Sequence, residues 1–452
     1  MPSNQVSPLR IAIIGGGVGG LCLAGTIAKF DAGNLEVALY EAAPDFADVG
    51  AGLSIYGRSF DIVAELGLQE EFAAIDETQG NHKQIEAITR RSDKGPIGYE
   101  FARTPFGGRG AVYHRADLRS VFARNCERSS KTQISFNKRL ASFSPISEIG
   151  GEDGYELIFT DGTTATCDVV IGADGVRSPV RARMFDLAAT QVADDSLREF
   201  GPPLWSGQNV YRTLIPMNRA TEEWNKLGGE GDHPVMNGVH QYSGVNKHTK
   251  KVIAYAIQGR TIANVAFFVR HGKYESPAYE DDKWVRNVEP DEVRKDFEEW
   301  ETSVIALTKG ITKVSCWAVH VTRKLPYFAR GRVALLGDAA HAMMTHNAAG
   351  ANQALEDAYI LGRILTHPST TRSTVHLALQ AYDRARRPRA QEMVEISSDQ
   401  GRLTDFTAPE GDDEAAVAAK MWANAASTAE GTVVEELQVA ETTLARLIEQ
   451  SK

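Results

Sequence analysis

Leu9-Arg-Ile-Ala-Ile-Ile-Gly15-Gly-Gly-Val-Gly-Gly20-Leu-Cys-Leu-Ala24 decides the fold class. Leu9 to Ile14 is an apolar run suited to a buried strand, and Leu21 to Phe30 has the composition of a helix. Between them lie three glycines at the spacing Gly15-x-Gly17-x-x-Gly20. Gly15 permits the tight turn, Gly17 leaves room for a pyrophosphate, and Gly20 lets the helix pack on the strand. The next apolar run, Leu35 to Tyr40, ends in Glu41, placed to accept hydrogen bonds from an adenosine ribose. Strand, glycines, helix, strand and terminal acid together predict a Rossmann-like α/β dinucleotide site.

Outward from this stretch, 452 residues with 42% hydrophobic content suffice for a large core divided into two or three units. The net charge of -10 is spread along the chain, which argues against a nucleic-acid-binding face. No run approaches the roughly 18 apolar residues of a membrane span, and the N-terminus lacks the apolar core of a signal peptide. Cys22, Cys126, Cys167 and Cys316 lie far apart without a CxxC pair. A reduced, cytoplasmic setting is expected, with the chain a monomer or homodimer and no metal site.

Further along, Val49-Gly-Ala-Gly52-Leu-Ser-Ile-Tyr-Gly-Arg58-Ser59 is a loop whose glycines let it lie against a flat ligand. A helix is expected from Arg115, which either reaches a cofactor or is a solvated helix-start arginine. A strand then delivers Gly172-Ala-Asp174-Gly-Val-Arg177-Ser-Pro-Val-Arg181. Residues 190 to 325 change to period-two runs, predicting an antiparallel sheet with one face open to packing or to a ligand. The nucleotide-binding texture returns in Arg332-Val-Ala-Leu-Leu-Gly337-Asp338 and in Gly350-Ala351-Asn-Gln-Ala-Leu-Glu-Asp357. A helix N-terminus there favours negative charge. The expected division is a discontinuous cofactor domain (1–75, 100–190, 330–390), a substrate-binding sheet domain (76–99, 191–329) and a helical C-terminal segment (391–452), with helix expected beyond Pro388.

Three signatures in order, Gly15-x-Gly-x-x-Gly20 with Glu41, Asp174-Gly175 with Arg177, Ser178 and Arg181, and Gly337-Asp338, resemble those of the single-component FAD-dependent aromatic hydroxylases. The likeness spans roughly residues 9 to 390 and is closest to the salicylate hydroxylase-like branch, which includes fungal polyketide hydroxylases. It implies the fold of para-hydroxybenzoate hydroxylase, with an antiparallel sheet inserted into a Rossmann-like FAD domain. It also implies non-covalent FAD, transient NADPH or NADH as reductant and O2 as co-substrate. The flavin C4a-hydroperoxide of such enzymes hydroxylates a small phenolic or aromatic-acid substrate, in some members with decarboxylation or dearomatisation. By resemblance, Gly15, Gly17, Gly20 and Glu41 hold the adenosine end of FAD, Asp338 lies near the ribityl chain, and Gly52 and Arg115 contribute to the same site. Gly337, Gly350 and Ala351 form the flavin-side turn. Asp174 and Arg177 serve FAD or the nicotinamide cofactor.

Catalytic candidates follow from the same comparison. Arg212 lies on a strand where relatives place an active-site arginine; it pairs with a phenolate or carboxylate, or else is a surface residue. His240 and Tyr242 share one strand face by period two, as phenol-binding groups or as a structural pair. His346 matches a histidine suited to ionising a phenol, whereas His341 is expected to stabilise the loop. Departures from the family occur at Thr345, where relatives commonly have proline, at Ala348, where many have glycine, and at Arg58. Arg58 either binds an acidic substrate or anchors its loop. A flavin oxidase or dehydrogenase is the competing enzyme reading, and a non-catalytic flavin sensor the other.

Overall fold

The computed structural model describes residues 7–46, 52–76, 86–105, 110–129, 131–147, 153–246, 248–271, 279 and 283–452, so Val49 to Ala51 of the early glycine loop lie outside the described residues. Six strands build one sheet in the order Ala329–Arg330, Val333–Leu335, Val169–Gly172, Leu9–Ile14, Leu35–Tyr40 and Thr132–Ser135. All pair in parallel except the first two. Parallel strands buried on both faces read as apolar runs, and Ile11, Ile13, Val169, Val170 and Leu335 are accordingly buried. The helix Val18–Phe30 starts directly after the glycines. A methyl on Gly20 would run into the Gly15 carbonyl oxygen, and Gly15 itself sits at φ +109. The turn is therefore closed to side chains at both positions.

An eight-stranded sheet has the order Val285–Val288, Val314–Val321, Leu204–Pro216, Ile262–Arg270, His248–Ile257, Val239–Asn246, Glu86–Arg91 and Tyr99–Pro105. Its last strand runs to Pro105, past the expected division at residue 99. The sheet has two distinct faces. On one, Tyr211, Val252 and Phe267 form a core with Val293, Phe297, Trp300 and Val304 of the helical interval 290–310. On the other, Val210, Phe268 and Val319 pack with Met344 from the turn that follows Asp338.

These faces correct one expectation from sequence. Tyr242 belongs to the helix-covered core, and His240 stacks on it at 5.7 Å. Pairing runs Gln241–Ile253–Ala266–Arg212 across the sheet. Gln241 therefore shares the face of Arg212, while His240 and Tyr242 turn away from it. Strand periodicity gives which residues share a face but not which face is covered, because that depends on pairing register. The two residues form the structural pair instead.

Three helices end the chain: Val375–Thr404, Glu414–Ala429 and Val433–Gln450. Contrary to the expected start beyond Pro388, the first contains Pro388 in its interior. An interior proline removes a helix hydrogen bond and costs about 3 kcal/mol. The helix is held on either side of it by Arg386, fully buried, and by Ala390 and Met393 in apolar packing. Arg386 bonds Asp357 at 2.8 Å, Glu356 at 3.1 Å, Glu436 at 2.6 Å and the Gln353 side chain at 2.7 Å. It thereby joins the helix Gly350–Leu365 to both Val375–Thr404 and Val433–Gln450. Among the described residues no helix is long and apolar enough to cross a membrane. All four cysteines are buried and unpaired.

Replacing Arg386 by Leu leaves three carboxylates without their shared cation, and loss of one partner of a buried ion pair costs about 3–5 kcal/mol. Denaturant unfolding of Arg386→Leu is expected to show a loss of that order, and an unchanged midpoint would remove Arg386 from this role.

Candidate active site

The turns at the carboxyl ends of the parallel strands come together at one edge. After Ile14, the Gly16 amide donates to Glu41 Oε2 at 2.8 Å, and Arg119 reaches the same oxygen at 3.3 Å. Arg119 also donates to the Gly16 carbonyl at 2.9 Å. Glu41 thus stands at the strand end beside the glycine turn, and a side chain added at Gly17 would meet nothing within 4 Å. That open space is the cradle a pyrophosphate requires.

After Gly172, Asp174 Oδ2 accepts from the Val180 amide at 3.1 Å, and Ser178 caps the helix Pro179–Val192 through the Arg181 amide. Burial lifts the Asp174 carboxyl to a pKa of about 6 against its hydrogen bonds, and its Oδ1 is buried without a partner. Arg181 is fully buried and bonds the carbonyls of Val176 at 2.6 Å and Ala339 at 2.9 Å. It ties the Asp174 turn to the Asp338 turn. Arg177 points elsewhere: its guanidinium lies 3.6 Å over Trp284, which stacks on His320 at 3.4 Å.

After Leu335, Gly337 adopts φ +58 and its amide donates to Asp357 Oδ2 at 2.9 Å. His341 Nε2 lies 2.5 Å from the same oxygen. Burial alone would raise the Asp357 pKa, but His341, Arg386 and the Gly337 amide hold it at about 2. That depression stabilises the fold above the ordinary carboxylate value and is lost as the pH falls through about 2. Between fixed neighbours, Asp338 is exposed while Ala339 and Ala340 are buried. Gly350, which starts the following helix, sits so that an added Cβ would lie 4.0 Å from Asp338 Oδ1. Ala351 follows in the first turn of that helix, packed against the core. Both amide atoms of Asn347 are buried and unpartnered. An exposed acid, an open glycine cradle and orphaned polar atoms fit an extended polar ligand such as FAD.

Comparison with known proteins agrees. The family described as FAD binding domain matches residues 9–192 and 239–397. Salicylate hydroxylase of Pseudomonas putida is 32% identical over 90% of this chain and 89% of its own length. This chain belongs to the FAD-dependent aromatic hydroxylases. The 6-methylsalicylate 1-monooxygenase of Aspergillus terreus is 33% identical over 89% of this chain and 84% of its own. A salicylate hydroxylase substrate complex superposes with a TM-score of 0.81 at 27% identity, covering 96% of this chain and 98% of that one. The protein is an enzyme, an FAD-dependent monooxygenase.

In this hydroxylase the strand Gly52–Tyr56 pairs with Gly110–His114, which brings Gly52 opposite His114 and next to Arg115. A Cβ on Gly52 would sit 2.6 Å from the Tyr255 hydroxyl, so glycine there admits the tyrosine. Tyr255, with its pKa pushed by burial to about 12, feels Arg212, and Arg212 in turn feels Arg115. Burial lowers the Arg212 pKa. The Asn352 side chain takes the Tyr56 amide at 3.0 Å and donates to the Ser54 and Ala348 carbonyls, sewing this strand to the flavin-side turn. Ala348 has φ +53, the left-handed conformation that glycine adopts without strain, which fits the glycine expected there from the family resemblance.

His346 is buried beside Phe268 and Gly401, with both ring nitrogens unpartnered. Burial first, then Lys251 and Arg270, drive its pKa well below the usual histidine value. Arg58 is paired with Glu436 and, at 3.2 Å, with Glu356, which is the loop-anchoring alternative. Arg119, Tyr255 and Gln241 were not singled out from sequence as site residues, and Arg181 figured only as part of the Asp174 signature. Arg119 carries a usable signal, four residues after Arg115 on one helical face.

Asp338→Ala removes an exposed carboxylate whose side chain makes no hydrogen bond or ion pair among the described residues. Purified protein is expected to fold normally and to retain severalfold less FAD, measured as flavin absorbance per protein; full flavin content would contradict the assignment of Asp338 to the ribityl chain.

Proposed function

We propose that this hydroxylase inserts one oxygen atom of O2 into a phenolic or aromatic-acid ring, with NADH or NADPH as the transient reductant of FAD. The observation that carries this reading is the face of the large sheet bearing Arg212. There a half-buried guanidinium stands 5.5 Å from the Trp317 ring, near Tyr255 and Arg115. A guanidinium facing such a ring site pairs with an anion, and a phenol held as phenolate is a far better nucleophile than its neutral form. FAD, once reduced, supplies the activated oxygen.

The chain's own residues do the rest. Gly15, Gly17, Gly20 and Glu41 bind the adenosine end, and Asp338 takes the ribityl hydroxyls. The N-terminus of the helix Gly350–Leu365, with Gly350 and Ala351, presents positive potential to the negative charge of reduced flavin. Arg212 orients and helps ionise the ring oxygen. His346, neutral across the physiological range, acts as a hydrogen-bond partner for the substrate; protonating it beside Lys251 and Arg270 is too costly for it to store a proton. Arg177, whose guanidinium lies over Trp284 and not against the Asp174 and Asp338 turns, is assigned to the nicotinamide cofactor. The division into a discontinuous FAD domain, a sheet domain and C-terminal helices, and a cytoplasmic monomer or homodimer, complete the reading.

A panel of phenols and aromatic acids tests it through substrate-stimulated NADH or NADPH oxidation. Arg212→Ala is expected to keep its FAD and to lose at least 100-fold in stimulated oxidation, since a desolvated charge-assisted hydrogen bond is worth about 3 kcal/mol. Unchanged turnover would remove Arg212 from the site.

A further inference from the structure

A cleft of about 460 Å³ lies between the short helix Asp338–His341, the start of the strand Leu204–Pro216 and the long helix Val375–Thr404. That volume falls within the ~300–1,000 Å³ of small-molecule sites. Among the described residues, Arg212, Tyr255 and His346 lie outside its lining, so it is not the face assigned to the ring being hydroxylated.

Two groups in its lining lack partners. His341 is 2% exposed; its Nε2 lies 2.5 Å from Asp357 Oδ2, while its Nδ1 is buried and unpartnered. Arg323 is half-buried, its Nε is buried without a partner, and its guanidinium makes no hydrogen bond or ion pair among the described residues. The other cations of the cleft are engaged, Lys324 with Glu395 at 2.7 Å and Arg402 with Asp399 at 3.1 Å. Thr322 sets the two unpartnered groups side by side. Its amide donates to the Ala342 carbonyl at 2.9 Å, and its hydroxyl accepts from the Ala342 amide at 3.2 Å. Arg323 and His341 are the chain neighbours of that bonded pair.

Each group selects a ligand function. A guanidinium stays charged and presents a planar fork that matches a carboxylate. A hydroxyl suits Nδ1 in either state of the ring, donating to neutral imidazole and accepting from imidazolium. Between these polar points the cleft is walled by Phe200, Val394 and the buried Leu204 and Leu325, an apolar surface on which an aromatic ring can lie.

We propose that this cleft is a second binding site, for an aromatic hydroxy acid, with the carboxylate on Arg323 and the hydroxyl on His341 Nδ1. Occupancy reaches the cofactor, because His341 shares Asp357 Oδ2 with the Gly337 amide, the residue before Asp338. A ring bonded at both nitrogens holds Asp357 and that amide more rigidly, so FAD binds to a turn that is already ordered. The ligand therefore slows FAD release, and FAD by reciprocity tightens the ligand.

Calorimetric titration of the FAD-loaded protein with 3- and 4-hydroxybenzoate, benzoate and phenol, without NADH or NADPH, tests the site. Wild type is expected to bind one hydroxybenzoate more per chain than Arg323→Gln, checked for flavin content and circular dichroism, and Arg323→Lys is expected to keep that extra site. Benzoate and phenol, each lacking one of the two polar groups, are expected to bind there at least tenfold more weakly. FAD release, followed by flavin fluorescence, is expected to slow at least threefold with the hydroxybenzoate in wild type and not in Arg323→Gln. Equal numbers bound by wild type and Arg323→Gln, no binding of either hydroxybenzoate, or unchanged FAD release would overturn the proposal. So would displacement of the Arg323-dependent ligand by NAD+ or NADP+, which would give the cleft to the nicotinamide cofactor. The hydroxylase reading is tested by turnover and stands or falls independently of these results.

Discussion

One carboxylate fixes the geometry on which the cofactor site depends. Asp357 accepts the Gly337 amide and faces His341 with one oxygen, while the other accepts from Arg386. Gly337 is where the buried strand Val333–Leu335 gives way to the turn that presents Asp338. A backbone amide held by a buried, ionised acid cannot drift, so the neighbouring Asp338 is presented outward, its carboxylate without a partner among the described residues. Arg181 repeats the device from the other side through the Ala339 carbonyl. Two buried arginines thus position a single exposed acid.

The second constraint is the division of the large sheet into two faces. One is sealed by the helices between Pro290 and Gly310, and stability resides there. The other looks toward the flavin-side turn and tolerates Arg212, Gln241, Lys251 and Arg270, charged and polar groups that a sealed core would reject. Where Lys251 and Arg270 meet Asp405, the charge is neutralised in part by the end of a C-terminal helix. The C-terminal segment is therefore joined to the substrate side of the molecule, and Glu436 also joins it to the cofactor side through Arg386 and Arg58.

Much of the cofactor site was legible because it is local. Gly15, Gly17, Gly20 and Glu41 lie within one strand–helix–strand unit, so spacing predicts their turn, whereas Gly337 with Asp338, at one strand end, took its expected role from the family resemblance. The sheet was legible as period-two runs, but its register was not. His240 and Tyr242 looked suitable because their types suit a phenol; cross-strand pairing puts Gln241 on the useful face instead. Pro388 looked like a helix boundary, and only the ion pairs of Arg386 and the packing beside it keep the helix continuous. Ala348 stood out as a departure from glycine, and its positive φ supplies the reason. Tyr255 and Arg119 became visible only when distant segments met.

The central claim is that the cofactor turn and the Arg212 face act together to insert oxygen into an aromatic ring. Turnover of the FAD-loaded protein under oxygen-18 gas, with the best stimulating phenol and mass analysis of the product, tests this most directly. One oxygen-18 atom per product molecule, with NADH or NADPH consumed in equal amount, is the predicted result. Unlabelled oxidised product accompanied by stoichiometric hydrogen peroxide would contradict it and mark the protein as a flavin oxidase.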